Sequence, residues 1–126
     1  MELAKGRGAK MVKELPVSGA FHSPLMESAK SGLQSALEKT DIRDASIPVY
    51  ANVTAKPVQK SDDIRRLLNE QLTSPVRWEE TVRNMAADGA SMFVEIGPGK
   101  VLQGLVKRIR SDVQTRGIER FADVSS

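Results

Sequence analysis

Between residues 25 and 37 the apolar positions recur at four-residue steps: Leu25, Ala29, Leu33 and Leu37, with Met26 and Ala36 beside them. On a helix this spacing lays down one apolar stripe, so a helix is predicted to about Lys39. Ser23 suits the cap and Pro24 the first helical position. Gly32 interrupts the stripe at a cost of about 1 kcal/mol relative to Ala, which suggests close approach of a neighbour. A second stripe, Ile64, Leu67, Leu68 and Leu72, follows Ser61 and Asp62, either of which can cap. Ser74-Pro75 repeats the cap-then-proline signal. Trp78, Val82, Met85 and Ala86 then form the face of a helix that Gly89 ends. The last stripe is Val101, Leu102, Leu105, Val106 and Ile109.

Elsewhere the period shortens. MFVEI (92–96) is a nearly continuous apolar run, as expected of a strand in a sheet covered on both faces. IPVYANV (47–53) is a short β-rich stretch, and 55–60 reads as loop. KMVKELP (10–16) reads as an edge strand, because Pro16 cannot donate to a ladder. A final short strand is expected over 118–124. Residues 1–9, with two glycines among charges, are predicted to be frayed or poorly packed. Strands separated by helices, with a strand, a Gly-rich turn and a helix near the end, indicate an α/β fold with parallel pairing. Two or three strands make a thin sheet for that fold, so the chain is expected to be incomplete.

Composition narrows the chemistry. A chain of 126 residues, 40% hydrophobic and 28% charged, suits one soluble domain or part of one. The absence of cysteine removes disulfides and thiolate chemistry, and one histidine alone does not make a transition-metal site. No apolar run approaches the ~20 residues of a membrane span, and MELAKGRGAK lacks a signal-peptide core. A cytoplasmic protein is therefore expected. A net charge of +3 favours acidic partners but is too small to argue for nucleic acid.

The only histidine lies in GAFHSPLM (19–26), a turn ahead of the first stripe. Imidazole suits proton transfer, although a lone histidine near a helix start is more often structural. Ser18, Ser23 and Ser28 are nearby, yet a nucleophile needs a base within reach and donors for the oxyanion. No G-x-S-x-G elbow occurs in these 126 residues. EIGPGK (95–100) offers backbone N–H groups and Lys100 to a phosphate, but it lacks the spacing of the known phosphate loops. The simpler reading is a tight strand-to-helix connection. Lys107, Arg108 and Arg110 complement the end of a helix, or form a docking site for an acidic partner. Asp62, Asp63, Glu79 and Glu80 fall in first helical turns and form no acid–base pair.

Four stretches together, LPVSGAFHSPLM (15–26), IPVYANVTA (47–55), LLNEQLTSPVRWEETV (67–82) and FVEIGPGKVLQGLVKRI (93–109), resemble the malonyl-CoA:acyl carrier protein transacylases of fatty-acid synthesis. Their order and spacing match the C-terminal portion of that family, over nearly the whole chain. The resemblance implies a hydrolase-like α/β acyltransferase core, with parallel strands and flanking helices, carrying a ferredoxin-like subdomain. Residues 1–16 would be the last helix and strand of that subdomain, and 17–126 the C-terminal part of the core. It also implies that His22 is the catalytic base and that the backbone carbonyl of Gln71 orients it. Replacing the Gln71 side chain should then matter less than replacing His22. Asn52 matches a family asparagine without an assigned role, and Ala20 stands where many relatives have proline. The substrates implied are malonyl-CoA and acyl carrier protein, with no cofactor, nucleic acid or membrane. The family's serine elbow and its malonyl-binding arginine have no counterpart in this sequence, so the chain alone is expected to be inactive. A non-catalytic module that binds an acidic partner such as acyl carrier protein is the alternative. An interrupted subdomain would bare a strand edge and apolar faces, so self-association, or disorder of residues 1–16, is expected.

Overall fold

A computed structural model describes residues 1–12 and 19–125. A short helix, α1 (Glu2–Gly6), buries no residue, in keeping with the weak packing expected there. Lys10–Val12 carry no strand, and the rest of the predicted edge strand lies outside the described residues. A 3₁₀ turn at Pro24–Met26 leads into α2 (Glu27–Lys39). Ser23 caps this turn and Pro24 occupies its first position, as the sequence indicates. Of the α2 stripe, Leu33 and Leu37 are half-buried, whereas Leu25 and Ala29 are exposed. Nothing lies within 4 Å of a Cβ built on Gly32, so the expected close contact is not made here.

β1 (Val49–Ala51) pairs antiparallel with β2 (Lys56–Val58), which replaces the loop expected over that run. Lys-Pro-Val has a single strongly β-forming residue, and its pairing comes from the partner strand rather than from its own pattern. The hairpin turn closes through the Ala55 N–H, which donates to Ala51 O at 2.8 Å. Ala55 has φ +58° and is fully buried. Its carbonyl accepts from Asn84 Nδ2 at 2.8 Å.

α3 (Ser61–Gln71) follows, with Leu67 buried on its predicted stripe. Neither Ser61 nor Asp62 caps it with a side chain. Asp44, seventeen residues earlier, accepts from the Ser61 N–H at 2.8 Å and from Lys60 Nζ at 2.8 Å. α4 spans Trp78–Ala87 and begins three residues beyond the predicted proline start. Residues 74–77 instead form a connection whose exit is fixed by Arg77 N–H donating to Asn52 O at 3.0 Å. Gly89, at φ +103°, ends α4 as expected, and the Ala90 N–H returns to Met85 O at 2.9 Å.

β3 (Met92–Ile96) pairs parallel with β4 (Gln114–Ile118), in register from Met92↔Gln114 to Ile96↔Ile118. α5 (Val101–Ile109) connects them. The last strand therefore precedes the 118–124 run predicted from hydrophobicity, and Phe121–Ser125 is a 3₁₀ turn. QTRGI is polar, so its strand state comes from pairing with β3 and not from alternation. Gln103 packs closely over Gly117: a Cβ there would lie 2.6 Å from Gln103 Nε2 and would displace the end of that side chain.

Val82, Val106 and Val113 form the core (0, 2 and 4% exposed), with Trp78, Ala86, Phe93 and Ile109 against it. The opposite face of β3 is open, contrary to the two-sided cover expected from its sequence. Met92, Val94 and Ile96 are all exposed, Ile96 to 81%. On α5 only Val106 is buried and Ile109 half-buried, while Val101, Leu102 and Leu105 remain exposed. No helix among the described residues is long and apolar enough to cross a membrane.

Candidate active site

The turn before α2 sets the direction of the histidine. His22 has φ +59°, a left-handed conformation that few residues with a Cβ adopt. The Ser23 hydroxyl donates to Ala20 O at 2.7 Å and accepts from the Leu25 N–H at 3.4 Å. A Cβ on Gly19 would lie 3.1 Å from the Phe21 ring, so glycine lets the chain pass that ring closely. The result brings His22 Nδ1 to 3.0 Å from the backbone carbonyl of Gln71, the last residue of α3.

A carbonyl oxygen can only accept, so Nδ1 carries the proton in this contact, and in the neutral ring Nε2 then keeps its lone pair. The imidazole is exposed, with Nε2 available to a proton donor. The Gln71 carbonyl also accepts from the Ser74 N–H at 3.3 Å. The Gln71 side chain reaches the same turn, with Nε2 donating to Ser74 O at 2.8 Å and lying 3.4 Å from Pro75 O. Gln71 Oε1 is buried without a partner. An apolar cavity of about 150 Å³ opens beside Gln71, lined in part by Val49, Ala51, Asn52, Leu67 and Leu68.

His22 and Gln71 are thus brought together across 49 residues of sequence. Asn52 lines the same cavity as Gln71, and its carbonyl holds the Arg77 N–H at 3.0 Å. Among the described residues no serine is bonded to His22. The Ser23 hydroxyl is taken up by its own turn, Ser28 lies on the first turn of α2, and Ser18 is outside the described residues. The Gln71 side-chain clamp was missed from the sequence. The polar run Asn69–Gln71 before Ser74-Pro75 was its only local signal.

In the EIGPGK turn the Gly97 and Gly99 N–H groups and the Leu102 and Gln103 N–H groups beyond it are already engaged. Glu95 Oε1 accepts from the Leu102 N–H at 3.1 Å, and Oε2 from the Gln103 N–H at 3.2 Å and Gln103 Nε2 at 3.1 Å. The Gly99 N–H turns to Glu119 Oε1 at 3.3 Å. Partial desolvation pushes the Glu95 carboxyl up, but these N–H bonds outweigh it and hold the group below its usual range. A carboxylate of this chain occupies the start of α5.

The basic cluster is partly committed as well. Lys107 Nζ donates to Val113 O. Arg110 bonds both oxygens of Asp112, at 2.9 and 2.7 Å, and holds that carboxyl down at about 2. Of the three cations only Arg110 is paired with a carboxylate among the described residues, while Lys107 and Arg108 keep their charge.

The chain matches the family model described as the acyl transferase domain over residues 2–121. It is 49% identical over 114 residues to the malonyl CoA-acyl carrier protein transacylase of Bacillus subtilis (strain 168), covering 90% of this chain and 36% of that one. An acyl-carrier-protein-S-malonyltransferase from Bartonella henselae superposes with a TM-score of 0.91 at 37% identity, over 98% of this chain and 40% of that one. A malonyl-transacylase solved in complex with a type II PKS acyl-carrier protein superposes at 0.90 and 37% identity, with the same coverage. This chain therefore spans about 40% of the length of the relatives it matches.

Proposed function

The chain belongs to the acyl transferase domain family, and on that premise we propose that it supplies the histidine of a malonyl-transferring site whose serine lies on polypeptide outside these 126 residues. In the full-length protein, His22 Nε2 takes the proton of the serine hydroxyl as Oγ attacks the thioester carbonyl of malonyl-CoA. The tetrahedral adduct collapses, the C–S bond breaks, and the imidazolium returns the proton to the departing coenzyme A sulfur. The thiol of acyl carrier protein then gives its proton to His22 and attacks the malonyl-serine. Serine leaves with the proton back on Oγ. A Ser–His pair of this kind activates an otherwise weak nucleophile and gives ping-pong transfer.

The observation that carries this reading is the 3.0 Å contact from His22 Nδ1 to Gln71 O. A proton on Nδ1 shared with that carbonyl supports the reading in which Nε2 is the base. Residues 1–16 as the end of a ferredoxin-like subdomain, residues 17–126 as the final part of a hydrolase-like core, and a cytoplasmic location all belong to the same reading.

The test has two stages. Incubated with malonyl-CoA, this chain alone should show no malonyl adduct by intact mass. Mixed with the complementary, serine-bearing portion of the Bacillus relative, it should restore transfer to acyl carrier protein. His22→Ala should lower that transfer about 100-fold or more. A stoichiometric adduct on the chain alone, or transfer indifferent to His22→Ala, would overturn the proposal.

A further inference from the structure

We infer that the side-chain amide of Gln71 is a positioning residue for His22, acting through the carbonyl of Ser74; the inference rests on His22 serving as the base. Two bonds run in opposite directions between Gln71 and Ser74. The Ser74 N–H donates to the Gln71 carbonyl at 3.3 Å, and Gln71 Nε2 donates to the Ser74 carbonyl at 2.8 Å. Together they close a small ring around the C-terminal end of α3. The carbonyl that receives His22 is part of that ring.

The amide orientation follows from its surroundings. Nε2 faces two carbonyl oxygens, Ser74 O at 2.8 Å and Pro75 O at 3.4 Å, which a reversed amide would meet with an oxygen. The same nitrogen lies 3.5 Å from His22 Nδ1. Nδ1 therefore has a carbonyl at 3.0 Å and an N–H group farther off. The nearer acceptor selects the Nδ1–H tautomer, and it does so only while the turn holds that carbonyl in place. Without the amide, Ser74 O loses its donor. The near end of the 72–77 connection is then held by the 3.3 Å bonds from the Thr73 and Ser74 N–H groups to Glu70 O and Gln71 O, with Arg77 N–H to Asn52 O at 3.0 Å at its far end. The orientation of the base thus depends on a side chain that does not take part in the proton transfer.

Because the chain has one histidine, ¹⁵N spectra of its imidazole contain one set of signals. The experiment measures the ratio of Nδ1–H to Nε2–H neutral tautomers in the 126-residue chain, as wild type, Gln71→Leu and Gln71→Met. The wild type is expected to be mainly Nδ1–H. Gln71→Leu should shift the ratio toward Nε2–H by about two- to tenfold, the net worth of one hydrogen bond. Gln71→Met is of similar length, has no donor for Ser74 O and puts no charge beside Nδ1, and it should move the ratio in the same direction. It carries the test if the leucine variant does not fold. Ser74→Ala leaves both backbone groups intact and should change nothing. A wild-type Nδ1–H form that persists unchanged in every folded Gln71 variant overturns the positioning role alone. A wild type that is mainly Nε2–H overturns the reading of His22 as the base.

Discussion

At φ +59° His22 holds a conformation in which its Cβ crowds the following carbonyl. Such strain at a candidate site persists only where the surroundings enforce it, and here the Ser23 turn and the bond to Gln71 do so. Substitutions at this position should therefore separate stability from chemistry. His22→Asn introduces a residue that tolerates the left-handed region, and should leave the unfolding free energy within about 0.5 kcal/mol of wild type. His22→Val places a β-branched residue there and should lose roughly 1–2 kcal/mol. Denaturant titration of both variants is the check, and equal stabilities would refute the strain. The residues alone singled out His22, and its contact with Gln71 was legible only through the resemblance to a known family. The left-handed backbone was not, because no glycine or asparagine marks position 22.

Elements whose cohesion is local could be read from the sequence, whereas those held from a distance could not. The helical run of α3 and the glycine stop of α4 each depend on residues a few positions apart and formed as expected, although of the α3 stripe only Leu67 is buried and Leu68 is 49% exposed. β2 and β4 are strands because another strand holds them, and KPV and QTRGI show little pattern of their own. The caps differ in the same way. α3 begins on Asp44 and α5 on Glu95, each supplied from outside the helix. Both carboxyls are held low. Hydrogen bonds from Lys60 and the Ser61 N–H bring Asp44 to about 2 from an ordinary 3.8. Their contribution to stability is complete above the unfolded-state values and is lost as pH falls through the lower folded-state values. Acid should therefore loosen the starts of α3 and α5 below about pH 4, with the loss from Asp44 running down to about 2. Glu95→Gln should weaken the pH dependence and lower the unfolding midpoint at neutral pH. Amide exchange at Leu102 and Gln103 reports this directly, and protection unchanged between pH 6 and pH 3 would refute it.

For the molecule as a whole, the uneven feature is the parallel pair. Ser91 O and Gly97 N point to β4, so by alternation the backbone groups of Met92, Val94 and Ile96 lie on the opposite edge. Among the described residues no strand pairs with that edge, and the side chains of the same three residues form the open face. Parallel sheets are ordinarily covered on both sides, and a bare apolar edge invites pairing. This chain should self-associate as its concentration rises, and Val94→Lys should keep it monomeric. Sedimentation velocity distinguishes the outcomes, and a wild type that stays monomeric at every concentration removes the idea. The contact between His22 and Gln71, 49 residues apart, has a consequence in time as well as in space. Closing a loop of that length costs more chain entropy than forming a hairpin or a helix. The site is therefore expected to assemble late, after α3 and the β1–β2 hairpin. Substitutions at either residue should leave the refolding rate nearly unchanged and appear in the unfolding rate instead.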